Sequence, residues 1–121
     1  MALRREGDQQ YASFWRRIGN FLKNNSGLPV SGVARAGSRR RGDYNVDSDL
    51  DIIFSITGDP RKDQVYPELV KKLKDGLNVD AKIGSSYNVI NIQKNNLEID
   101  LVLLTEAEFQ SEVQRDRLEQ L

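Results

Sequence analysis

The sequence predicts an α/β (α+β) domain, and three stretches carry that prediction. Between positions 8 and 25, Tyr11, Phe14, Trp15, Ile18, Phe21 and Leu22 recur at spacings of three and four, the period of a helix with one buried face. Leu50, Ile52, Phe54 and Ile56 recur at every second residue, the period of a strand with one buried face. Further on, 87–93 and 97–104 read as two strands around Lys94-Asn95-Asn96, a hairpin signal. A chain of 121 residues is long enough for one modest core and too short for two, so residues 1–121 are read as a single domain.

Taken in order, the first helix has Asp8 as its expected N-cap and Asn24-Asn25-Ser26-Gly27 as its stop. Its aromatic stripe could serve as a nucleobase platform, but a stripe at helical spacing far more often belongs to a core. Leu28-Pro29 leads into a strand over 30–36. A second helix is expected over 61–76, with Val65, Leu69, Val70, Leu73 and Leu77 inward and Lys71, Lys72 and Lys74 outward. Pro67 interrupts it, so its firmest part should begin at that proline, which a first helical turn tolerates. Gly76 is the expected C-terminal stop. A short strand over 78–83 and a loop at Gly84-Ser85-Ser86 follow. Thr105-Glu106-Ala107-Glu108 is a capping box, opening a last, weakly amphipathic helix expected to reach about Leu121.

Composition excludes several chemistries. Lys plus Arg and Asp plus Glu both number 18, so the chain is neutral and lacks the basic excess of a broad nucleic-acid surface. Without cysteine there is no disulfide and no thiolate metal site, and without histidine there is no imidazole base, zinc–histidine site or triad. Catalysis here would have to use carboxylates, hydroxyls, lysines, arginines and metal. No signal peptide is recognisable and no apolar run approaches a membrane span, so a soluble, cytoplasmic protein is expected.

The chemistry concentrates between Val33 and Ile56. An apolar-leaning strand ends in Gly37-Ser38, a tight turn whose backbone N–H groups can face phosphate oxygens. Arg39, Arg40 and Arg41 follow, and with Arg35 they make either a solvated charge run or a set of guanidinium groups for a triphosphate. Asp49 and Asp51 then alternate with the apolar face of the next strand and point the same way. Two carboxylates on one rigid edge suit Mg²⁺, which takes hard oxygen ligands together with substrate phosphates. Asp100 lies inside the apolar run 97–104, where an acid is costly unless it is paired or binds metal. If its strand neighbours 49–56 in register, the three aspartates share a face.

Gly-Ser, a spacer and Asp-Leu-Asp-Ile resembles the signature of the DNA polymerase beta-like nucleotidyltransferase superfamily. The local form G-S-R-R-R-G…S-D-L-D-I is most similar to its minimal members. One departure is Asp43, where that group commonly has Thr; it bears on a phosphate-side contact and not on the metal site. The resemblance implies the small mixed-sheet palm fold with helices mainly on one face. It implies transfer of a nucleoside monophosphate from a triphosphate, ATP in the first instance, to an acceptor hydroxyl with release of pyrophosphate. Asp49, Asp51 and Asp100 would be catalytic and would hold two Mg²⁺ ions. Gly37 and Ser38, joined by Arg39 and Arg41, would hold the triphosphate. The acceptor is left open among a protein hydroxyl, a small molecule and a nucleic-acid end. A small all-helical partner chain is a further expectation, since minimal members often pair with one. The competing expectation is a non-catalytic or partner-completed binding subunit of the antitoxin type.

Overall fold

A computed structural model describes residues 2–37, 50–58, 61–84 and 89–121. Along the chain these form α1 (Ala2–Asn24), β1 (Val30–Gly37), β2 (Leu50–Ile56), α2 (Lys62–Leu77), β3 (Asp80–Ile83), β4 (Ile90–Lys94), β5 (Leu97–Leu104), α3 (Glu106–Asp116) and β6 (Glu119–Gln120). The strands make one sheet in the order β3-β4-β5-β2-β1-β6. β2 and β5 run parallel, and the other described pairs are antiparallel. The sheet is therefore mixed and the fold is α+β, as expected. No helix among the described residues is long and apolar enough to cross a membrane.

Alternation along the strands decides what each face holds. On one face Ile52, Phe54, Ile99, Leu101, Leu103, Ile90 and Ile92 pack against Trp15, Ile18 and Leu22 of α1 and Tyr66, Leu69 and Leu73 of α2. On the other, α3 lays Phe109 and Val113 over Ala34, Ala36 and Ile53, with Leu118 beside them. Two helices thus cover one face and one helix covers part of the other, in keeping with helices placed mainly on one side. Small residues in β1 let α3 come close: a Cβ on Gly32 would lie 2.6 Å from Phe109 Cε1.

β5 outruns its neighbour β4, whose ladder ends at Ile90 opposite Leu101. Two residues later the Leu103 N–H donates to the Tyr66 hydroxyl at 3.0 Å, so a helix side chain replaces the missing strand. Burial pushes the Tyr66 hydroxyl above its ordinary pKa, and the hydrogen bond from Leu103 works in the opposite direction.

Four sequence expectations need correction. α1 begins at Ala2, so Asp8 lies inside the helix and does not cap it. α2 begins at Lys62 and passes through Pro67. The proline removes one i→i−4 bond, but buried Tyr66 beside it fastens that turn to the sheet. The same helix does not stop at Gly76 but at Asn78, which takes the left-handed conformation (φ 54°, ψ 50°) and donates its N–H to the Lys74 carbonyl. Gly76 serves packing instead, because a Cβ there would collide with the Phe21 ring of α1. Finally, α3 ends at Asp116, with Arg117 left-handed at φ 52° as its cap. The chain then turns into β6, which pairs Gln120 with Ala34 and Glu119 with Arg35. The capping box at the start of α3 is present: Thr105 Oγ1 accepts the Glu108 N–H at 3.1 Å, and Glu108 Oε1 accepts the Thr105 N–H at 3.0 Å. Hydrogen bonds from Thr105 to the carboxyl, from its backbone N–H foremost and its side chain second, hold Glu108 below its usual range.

Candidate active site

Asp51 and Asp100 come from distant parts of the sequence and are set side by side by the one parallel ladder of the described sheet. Its register is Leu50 with Ile99, Asp51 with Asp100 and Ile52 with Leu101. Neighbouring strands lie about 4.8 Å apart, and residues directly paired across them share a face. A parallel pair needs a long crossover, supplied here by α2, β3 and β4. Both carboxylates are half-buried. Ile53 and Val102, two residues further along each strand, belong to the apolar cluster under α3, and the acids stand just outside that cluster.

The same row continues outward. Ala36 pairs with Asp51 on one side; Asn91 pairs with Asp100 on the other, and Lys82 with Asn91 beyond it. Asn91 Nδ2 donates to Asp100 Oδ1 at 2.9 Å and to Glu98 Oε1 at 2.8 Å. Gln93 Nε2 donates to Asn91 Oδ1 at 3.0 Å and to Glu98 Oε1 at 3.3 Å. Two carboxylates of β5 are therefore fastened to β4 by two carboxamides.

Gly37 pairs with Leu50, one step along the ladder from Asp51, and so closes β1 beside the acid row. Arg35 pairs with Ile52 and shares its face, opposite the carboxylates. Asp49, Ser38, Arg39 and Arg41 lie outside the described residues, as does Arg40. Among the described residues no three metal-ligating side chains come together, so the structure brings two of the three sequence-derived acids into one place.

Of two cavities lined by described residues, neither includes Asp51 or Asp100. A cleft of about 530 Å³ lies at the C-terminal ends of α1 and α2, lined by Arg17, Asn20, Phe21, Asn24 and Gly76 among others, with no carboxylate. A smaller one of about 260 Å³ follows the β3–β4 edge and includes Lys82, Asn91 and Gln93. The strand register is what brings Asp51 and Asp100 together.

The family model for the nucleotidyltransferase domain matches residues 16–121. The chain belongs to the nucleotidyltransferase domain family. Among curated proteins no match was found. The resemblance read from Gly37-Ser38 and Asp49 to Ile52 thus extends over nearly the whole chain, and the mixed α+β sheet is consistent with such a nucleotidyltransferase.

Sequence reasoning did not single out Asn91, Gln93 or Glu98 in this nucleotidyltransferase domain, yet a signal was present. The hairpin turn is Asn95-Asn96, with Asn95 left-handed at φ 56°. A two-residue turn makes Lys94 face Leu97, and counting back from that pair puts Asn91 opposite Asp100.

Proposed function

We propose that this domain transfers a nucleoside monophosphate from a nucleoside triphosphate, ATP in the first instance, to an acceptor hydroxyl, with pyrophosphate as leaving group. The observation that carries the proposal is the in-register pair Asp51 and Asp100 on adjacent parallel strands, in a chain of the nucleotidyltransferase domain family. Half-buried carboxylate oxygens on one face are the hard donor set that Mg²⁺ takes. Asp49, Asp51 and Asp100 would hold two such ions, which when bound neutralise phosphate charge and lower the pKa of the attacking hydroxyl. Asp100 would stand on the acceptor side and take the hydroxyl proton. As the acceptor oxygen bonds to the α-phosphorus, the bond from that phosphorus to the bridging oxygen breaks and its electron pair leaves with pyrophosphate. Gly37 would let the triphosphate approach the backbone. Ser38 would hydrogen-bond a terminal phosphate, and Arg39 and Arg41 would offset its charge. The protein's part is positioning and charge stabilisation.

The test is thermal unfolding with each of the common nucleoside triphosphates, with and without Mg²⁺, on wild type and on Asp51→Asn and Asp100→Asn. A ligand at a hundred times its Kd adds about 2.7 kcal/mol to stability. A magnesium-dependent rise in wild type that both variants lose is expected. If no triphosphate raises the midpoint, the reading fails.

A further inference from the structure

We propose that Asn91 is a positioning residue, a carboxamide clamp that fixes the Asp100 carboxylate and keeps Glu98 apart from it. The inference rests on the nucleotidyl-transfer reading above and extends it to a residue that no motif marks. Glu98 and Asp100 are two positions apart on one strand, share a face and repel each other as carboxylates. Their Cα atoms are separated by about 6.6 Å at the rise of a strand. Asn91 stands opposite Asp100 across the antiparallel ladder. Its amide nitrogen has two hydrogens and gives one to each acid, at 2.9 Å to Asp100 Oδ1 and 2.8 Å to Glu98 Oε1.

The direction of the amide is set by its other neighbour. Asn91 Oδ1 accepts from Gln93 Nε2 at 3.0 Å. Turned over, the amide would face its oxygen to two carboxylates and its nitrogen to another donor, so only one orientation satisfies the four groups. Glu98 Oε1 receives a second donor from Gln93 at 3.3 Å. Glu98 is thereby held by two carboxamides. Asp100 is held through one oxygen, and its Oδ2 has no partner among the described residues. Each acid thus keeps one oxygen outside these bonds, Oε2 of Glu98 and Oδ2 of Asp100, and of the two only Asp100 stands in register with Asp51. Outer-shell partners of this kind orient metal-binding carboxylates, and losing one typically weakens metal affinity about 10–100-fold.

The experiment titrates Mg²⁺ at a fixed concentration of the triphosphate that stabilises wild type, following the thermal midpoint of wild type, Asn91→Ala, Asn91→Gln, Gln93→Ala and Asp100→Asn. The metal-free midpoint of each reports structural damage separately. Asn91→Ala should raise the Mg²⁺ concentration for half-maximal effect about 10–100-fold, and Asn91→Gln, which restores an amide, should recover part of that. Gln93→Ala changes an exposed side chain and should shift the requirement the same way by less; it carries the test if Asn91→Ala does not fold. A magnesium requirement unchanged in Asn91→Ala, or one that Asn91→Gln fails to lower, overturns the clamp. An effect that needs Asp100 but ignores Asn91 and Gln93 sinks the clamp alone. Absence of any magnesium-dependent effect in wild type sinks the parent reading and the clamp with it.

Discussion

The two faces of this sheet are made by the same strands and have opposite characters. On β2 and β5, Ile52, Phe54, Ile99, Leu101 and Leu103 turn into a core closed by two helices. Their neighbours Asp51, Glu98 and Asp100 turn to the face that α3 covers only in part. Stability and chemistry thus share strands without sharing side chains. A slip of one residue would carry the apolar set out of the core, so register is strongly specified. That specification fixes where the acids stand, whatever their own side chains contribute. The closed face does the holding, and the open face inherits its precision.

The largest separation between the faces should come from Phe54→Ala, which empties a fully buried aromatic site and should cost about 3–5 kcal/mol in denaturant melts. Asp51→Asn, three residues away on the same strand, should change stability by no more than about 1 kcal/mol while abolishing magnesium-dependent triphosphate binding. A loss from Asp51→Asn comparable to that from Phe54→Ala would mean that the acid face carries the fold as well.

Tyr66→Phe comes next. It removes the acceptor of a buried backbone N–H where β4 has ended, and should cost about 1–3 kcal/mol. The Tyr66 hydroxyl has a raised pKa in the folded state, so on raising pH the unfolded chain ionises first. Its contribution is intact below about pH 10 and falls as pH climbs toward the folded value. Melts across that range should show wild type losing stability more steeply than the phenylalanine variant. Identical slopes would mean that Tyr66 does not titrate differently in the two states.

The smallest effect is local to α3. Thr105→Ala should cost about 1 kcal/mol by removing half of the capping box. Glu108 has a lowered pKa in the folded state, so its contribution is present above the ordinary carboxylate value and lost as pH falls through the folded one. Thr105→Ala keeps the backbone N–H that is the larger cause and removes only the hydroxyl's share, so it should flatten that acid limb in part, which melts between neutral and acid pH would read.

How much of this could be read from the residues depended on how local each cause is. The period-two run of β2 and the capping box at Thr105 are short-range signals, and both stand in the structure where the sequence placed them. The face shared by Asp51 and Asp100 was legible only as a condition on register, which the parallel ladder fulfils. Asn78 and Arg117 were missed as helix ends because they take left-handed backbone without glycine, at a cost that tertiary packing absorbs. β6 is two residues long, too short for any period, and exists only because β1 offers it an edge. Asn91 was passed over because its partners are defined across strands; its own sequence neighbours give no hint of them.

The crossover between the two acids has a further consequence. Asp51 and Asp100 are separated in sequence by α2, β3 and β4, whereas Asn91 and Asp100 meet within a single hairpin. Half of the acid row is thus a local product of one tight turn, and the other half arrives only when a long loop has closed. No fragment that lacks either strand can present both carboxylates. Whatever ligand bridges them must recognise the finished chain alone and deepen its free-energy well by mass action. Occupancy of the row would then also report that folding is complete.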